Sequence, residues 1–238
     1  MAADIIALVD ALFGADTRFV VAGHDRGARV AYRLARDYPG RVVGLNVQDI
    51  VPTQNVFERA SPVFFAPTPP NPFAEMSLAK NTHAETFIYY HWIFLALPSP
   101  LPETLISASP SFYFTHTINS WTGTSSLGTF NPTALESWIS QYEDHAVLQG
   151  SLEDYRAGAT IDLVQDAEDD GQVACAVLAL WSAGLGKRYD VGGVWRGLGE
   201  RVEGHQVGDE GTGHFLPIEA AGETASRLLD WMKELSWA

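Results

Sequence analysis

An aspartate set between two glycines, where a strand gives way to a helix, can be a salt-bridge partner, or it can do one of two further jobs. The run "VVAGHDRGARVAYRLARDYPGRV", Val20 to Val42, carries such a residue in Gly23-His24-Asp25-Arg26-Gly27. In Gly23-x-Asp25-x-Gly27 the glycines permit a turn sharp enough to thrust the middle side chain above the end of a sheet. A carboxylate there has the N–H groups of a helix N-terminus behind it, and it can attack a substrate and hold it as an ester. The same residue can equally be a helix N-cap with no chemistry of its own. All three readings stand on the five residues alone. One of the seven histidines, His214, in Thr212-Gly213-His214-Phe215-Leu216, lies just before the last helical stretch. An imidazole, with an unperturbed pKa of about 6.5, can take a proton from water near neutral pH.

These groups need elements to position them. Ala3 to Phe13 places Ile5, Ile6, Leu8, Val9 and Leu12 at helical spacing, and Gly14 supplies a stop. Arg18 to Ala22 is a short β-rich run, Gly23 to Gly27 a turn, and Ala28 to Asp37 a helix ended by Pro39-Gly40. Val42 to Val47 is a second buried strand that closes at Gln48-Asp49. This rhythm predicts a parallel α/β sheet. After Pro52 the pattern changes to Pro-rich, aromatic and polar sequence, read as a helical insertion with helices at Ala84 to Leu97, Pro132 to Gln141 and Leu152 to Asp162. Pro62 to Pro72 and Pro98 to Pro110 punctuate it. The α/β rhythm returns with Val173 to Trp181 as a buried strand, Arg201 to Val207 as another, and Glu219 to Leu235 as a closing helix. The expected division is core residues 1–52, helical cap 53–172 and core residues 173–238.

Composition bounds the rest. The chain has 238 residues, 46% of them hydrophobic and 18% charged, which is ordinary for a globular protein with a real core. Its net charge of −14 argues against nucleic acid or an acidic membrane surface as partner. That field also opposes anionic substrates, so local arginines would have to overcome it. Cys175, the sole cysteine, is read as a small buried hydrophobe. No leader or bilayer-spanning run is evident, so a cytoplasmic protein is expected.

The blocks "GHDRGARVAYRLA", "QDIVPT", "YYHWIFLALPSPLPE", "DYRAGATIDL" and "GHFLPIEAAGETA" occur in the order found in one family. On them the chain resembles the α/β-hydrolase superfamily, and within it the fluoroacetate and haloacetate dehalogenases. The resemblance implies Asp25 as nucleophile, and Arg26 and Arg29 as a planar clamp for a substrate carboxylate, although Arg29 could instead pair with a surface acid. It makes Asp49 the acid that orients the base His214. Many superfamily members place that acid after the strand matching Val173 to Trp181, but there Ser182-Ala-Gly-Leu-Gly-Lys follows, with no acid before Asp190. His91, Trp92 and Tyr155 match the leaving-halide pocket, where N–H and O–H donors converge. His24 is expected to pack or hydrogen-bond, Arg33 to be solvated, and His83, His116, His145 and His205 to be structural or exposed. No metal or organic cofactor is implied, the partner is a small molecule, and a homodimer is left open.

The chain starts at the helix preceding the nucleophile strand, so the family's earlier strands and its His-Gly oxyanion loop are expected to be lacking. An α/β-hydrolase core with a helical cap is nonetheless the predicted fold. Two other functions share these residues. An epoxide hydrolase would use the same Asp25, His214 and Asp49, with Tyr155 and Tyr89 or Tyr90 protonating the epoxide oxygen. A catalytically impaired, shortened protein would only interact with partners.

Overall fold

A computed structural model describes residues 1–60, 89–124, 127–169 and 171–235. The chain forms two compact units. The first comprises Met1–Val51, Thr117–Pro132 and Gly171–Ala238; the second comprises Pro52–His116 and Thr133–Asp170. Residues 117–132, read from sequence as part of the cap, thus cluster with the sheet.

The first unit is built on four parallel strands in chain order, β1 (Phe19–His24), β2 (Val42–Gln48), β3 (Ala176–Trp181) and β4 (Val202–Gln206). β2 and β3 are buried nearly throughout, whereas β1 and β4 are only partly so. In β3 this matches an unbroken apolar run, as expected of a central parallel strand covered on both faces, whereas β2 also buries Asn46 and Gln48. Helix α1 (Ala2–Phe13) precedes β1, and α2 (Arg26–Asp37) packs on β1 and β2 with Ala28, Ala31, Leu34 and Ala35 turned inward. On one face of the sheet, Leu178 and Leu180 pack with Val207, Leu216 and Trp231. Gly44 lies under that Trp231: a Cβ there would come within 2.7 Å of the indole. Cys175 is buried, and burial pushes its thiol up to about 11, consistent with an inert packing role.

The boundaries differ from the sequence reading at informative places. β1 runs on to His24, because Gly23 and His24 still pair with Val47 and Gln48. The expected helix from Leu152 to Asp162 straddles two, His145–Gly158 and Ile161–Glu168. Their junction is Ala159-Thr160, where the Thr160 hydroxyl turns back onto the Arg156 carbonyl at 2.7 Å. The closing helix runs over Ala221–Glu234, close to the expected Glu219 to Leu235, and a short helix, Leu216–Glu219, precedes it. Pro132–Gln141 is helical as expected. Tyr90–Leu95 lies within the expected Ala84 to Leu97 helix, whose first residues, with His83 and Pro62 to Pro72, fall outside the described residues.

The described part of the second unit is helical. Its core joins Leu95, Ile106, Leu148 and Leu152, with Phe94, Tyr113, Phe114, Tyr142 and Tyr155 packed around them. Arg156 bonds Glu103 at 2.7 Å and the Leu97 carbonyl at 3.0 Å, tying the helix Leu101–Ser107 to His145–Gly158 through a largely buried ion pair. Among the described residues no helix is long and apolar enough to cross a membrane.

Candidate active site

β1 ends at His24 and α2 starts at Arg26, so the chain reverses at one residue, Asp25. Its φ of 50° and ψ of −126° are rare for a residue with a side chain, a strain of about 1–3 kcal/mol that functional sites commonly hold. Gly23 makes the reversal possible. A Cβ on it would lie 2.5 Å from the Gly27 carbonyl oxygen and 2.6 Å from the Ala28 backbone. Gly27 is different, because a Cβ there would meet nothing within 4 Å. Sequence reasoning assigned the turn to both glycines; the packing requires only the first.

Asp25 occupies the N-cap position of α2, yet its side chain makes no capping hydrogen bond. Its Oδ2 instead lies 3.6 Å from Nε2 of His214. Asp49 follows β2 directly, also with positive φ (54°), and its N–H donates to the Leu180 carbonyl at 2.8 Å. Its Oδ1 accepts the Ser182 N–H at 2.7 Å, and its Oδ2 accepts from His214 Nδ1 at 2.8 Å. Because a carboxylate only accepts, the proton on that bond belongs to Nδ1. The imidazole is therefore flanked by two acids of unlike setting. The Asp25 side chain is 31% exposed and can meet solvent or a solute, while that of Asp49 is 3% exposed and cannot.

The electrostatics follow from this geometry. Burial works against charge on His214, but the hydrogen bonds and charges of Asp25 and Asp49 outweigh it and raise the imidazole to about 10. Burial likewise opposes charge on Asp25, and His214, His24 and Arg29 together hold its carboxyl well below the usual carboxylate range. The resting pair is an imidazolium between two carboxylates. His24 lies alongside, its ring centroid 4.5 Å from that of His214, and its Nε2–H donates to the His214 carbonyl at 2.8 Å. Burial and the neighbouring His214 lower the His24 pKa. It hydrogen-bonds and packs, as the sequence suggested.

Arg26 opens α2 immediately after Asp25, and Arg29 lies one turn on, donating from one guanidinium nitrogen to the Val51 carbonyl at 2.8 Å. That bond fixes Arg29 close enough for its charge to act on Asp25. Arg33 pairs with Asp37 on the outer part of α2. In the second unit, His91 and Trp92 of Tyr90–Leu95 are buried and meet Tyr155 of His145–Gly158 edge to face, with centroids 6.2 and 6.0 Å from the phenol ring. The candidate residues of each unit are thus gathered: Asp25, Asp49 and His214, with both arginines on α2, in the first, and His91, Trp92 and Tyr155 in the second. Among the described residues, no group of three or more His, Cys, Asp or Glu could hold a metal ion.

No family model matches the chain. It is 37% identical to a candidate α/β-hydrolase of Nostoc sp. PCC 7120, with a TM-score of 0.81 over 98% of this chain and 72% of that one. The chain belongs to the α/β-hydrolase family. It is 30% identical to a candidate epoxide hydrolase of Pseudomonas aeruginosa, with a TM-score of 0.78 over 98% of this chain and 70% of that one. A fluoroacetate dehalogenase of a Burkholderia species is 34% identical over 220 residues, 91% of this chain. The chain spans 64% of that relative's length. Within this α/β-hydrolase, several residues around His214 escaped sequence reasoning. Trp121 accepts the His214 N–H at 2.9 Å and sets its ring edge-on to the imidazole, and Ser182 supplies its backbone to Asp49. Both contacts join residues distant in sequence, so only the fold brings them into view.

Proposed function

We propose that the chain is a hydrolytic dehalogenase of short 2-haloacids, working through an ester on Asp25. The observation that carries this reading is the side chain of Asp25, which declines the cap of its own helix and faces His214 while staying open to solvent. Arg26 and Arg29 hold the substrate carboxylate. An Asp25 oxygen attacks the carbon bearing the halogen, the carbon–halogen bond breaks, and the halide leaves with the bonding pair. In this reading the N–H and O–H groups of His91, Trp92 and Tyr155 take up the halide.

Esterification removes the negative charge of Asp25, and with it one of the two acids that hold the proton on His214. The imidazole can then lose that proton to solvent and serve as a base near neutral pH. It takes a proton from water as the water oxygen bonds to the Asp25 carbonyl carbon. The bond from that carbon to the alkyl oxygen breaks, the imidazolium returns its proton to that oxygen, and a 2-hydroxyacid leaves. The regenerated Asp25 carboxyl gives up the remaining water proton to the imidazole. Asp49 holds the imidazole in the tautomer this step needs.

Halide release from fluoroacetate and chloroacetate tests the reading, alongside Asp25→Asn. A single turnover in ¹⁸O-water should put the label in Asp25 and leave the first 2-hydroxyacid formed unlabelled. Label appearing first in the product would rule out the ester. The second reading, an epoxide hydrolase, draws on the Pseudomonas relative and on Tyr155 with Tyr89 or Tyr90. The arginines of α2 favour the haloacid, and epoxide opening without halide release would reverse that choice.

A further inference from the structure

We propose that Glu219 is a positioning residue, whose carboxylate clamps the two loops that hold His214 and so aims the imidazole. The Glu219 Oε2 accepts the N–H of Gly123 at 2.7 Å and of Gly213 at 3.0 Å. Its Oε1 accepts the N–H of Phe215 at 2.9 Å. Gly213 and Phe215 are the chain neighbours of His214. The N–H between them, that of His214, donates to Trp121, two residues from Gly123. Three consecutive N–H groups around the base are therefore fixed, the outer two by one carboxylate and the middle one by a segment that the same carboxylate holds.

The two loops meet backbone to backbone. A Cβ on Gly213 would lie 2.2 Å from the Gly123 nitrogen, and a Cβ on Gly123 would lie 1.8 Å from the Gly211 oxygen. Thr124 extends the seam, its N–H donating to the Gly211 carbonyl at 2.9 Å. A bond at the start of a helix would explain only part of this. The bond from the Phe215 N–H to Oε1 does lie at the start of Leu216–Glu219, beside that helix's first backbone bond, Glu219 N–H to the Phe215 carbonyl at 2.8 Å. The two bonds to Oε2 lie outside that turn and are spent on the loops beside His214. A residue one ångström out of place can cost a reaction on the order of 10²-fold, so holding the base is a function in itself.

This inference rests on His214 as the base, and its decisive readout is the imidazole rather than turnover. Glu219→Asp keeps the charge but is one methylene short of both loops. Glu219→Gln loses the charge but can keep an oxygen on Gly123 and Gly213. NMR titration of His214 should show a pKa falling from about 10 toward 6.5 in Glu219→Asp, with Glu219→Gln in between. If the wild type releases halide, kcat should fall on the order of 10²-fold in Glu219→Asp, with KM nearly unchanged. If it releases none, the dehalogenase reading fails and the titration still decides this one. A folded Glu219→Asp that titrates as the wild type, or a larger shift in Glu219→Gln, would overturn the clamp. Loss of the folded state in both variants would also overturn it, by making Glu219 a determinant of the fold.

Discussion

At the scale of residues, the candidate site is a contest over one proton. His214 sits between an exposed acid and a buried one, and each favours the imidazolium. Asp25→Asn is expected to bring the His214 pKa down from about 10, as seen by NMR, because one of its two charged partners is removed. An unchanged titration would mean that Asp49 alone holds the proton. The same pair sets a stability window. The folded-state pKa of Asp25 lies below its unfolded value of about 3.9, so its contribution is complete above about pH 4 and fades as pH falls. That of His214 lies above its unfolded value of about 6.5, so its contribution is complete below that pH and is lost as pH rises through about 10. The urea midpoint should therefore decline between about pH 6.5 and 10 more steeply in the wild type than in His214→Gln. Parallel profiles would contradict the assignment.

At the scale of elements, the strand-to-helix reversal makes unequal demands on its two glycines. Gly23→Ala would drive a methyl group into backbone and is expected to cost more than about 3 kcal/mol, or to abolish the folded state. Gly27→Ala meets open space in the first turn of α2 and should be neutral or stabilising by about 0.4–1 kcal/mol. Denaturant unfolding of the two variants checks both. In the second unit, Leu152→Ala removes a fully buried side chain and should cost about 2–5 kcal/mol by the same measurement. The turn at Asp25 was legible in the sequence because its glycines, and the strand and helix it joins, lie in one short run, but those residues did not decide between a cap and a nucleophile. The strand Ala176–Trp181 was legible because burial on both faces leaves an unbroken apolar signature. Asp49 and His214 were reached only through a resemblance in their flanking blocks. The clamp on Gly123 was not legible, since it joins residues 96 positions apart and a glutamate in a helix announces no partner. The break at Ala159-Thr160 carries no proline, and the side-chain bond that accompanies it is invisible to periodicity.

At the scale of the whole molecule, the net charge of −14 repels an anionic substrate at long range, while the arginines of α2 act only at contact. For chloroacetate, kcat/KM is expected to rise as ionic strength increases from low values, because salt screens the distant field more than the close pair. A neutral epoxide should show no such trend, and a fall for chloroacetate would place attraction, not repulsion, in control. The order of the strands has a consequence for how the site comes into being. β1 and β2 are neighbours in both space and sequence, so Asp25 and Asp49, only 24 positions apart (49 − 25), come together at adjacent strand tips. The imidazole that separates them is 165 residues further on. During synthesis, which proceeds from the N-terminus, the two carboxylates would wait at adjacent tips with Arg29 nearby but no imidazole between them. The nascent sheet then carries an unfinished arrangement of charge, which the loop bearing His214 completes.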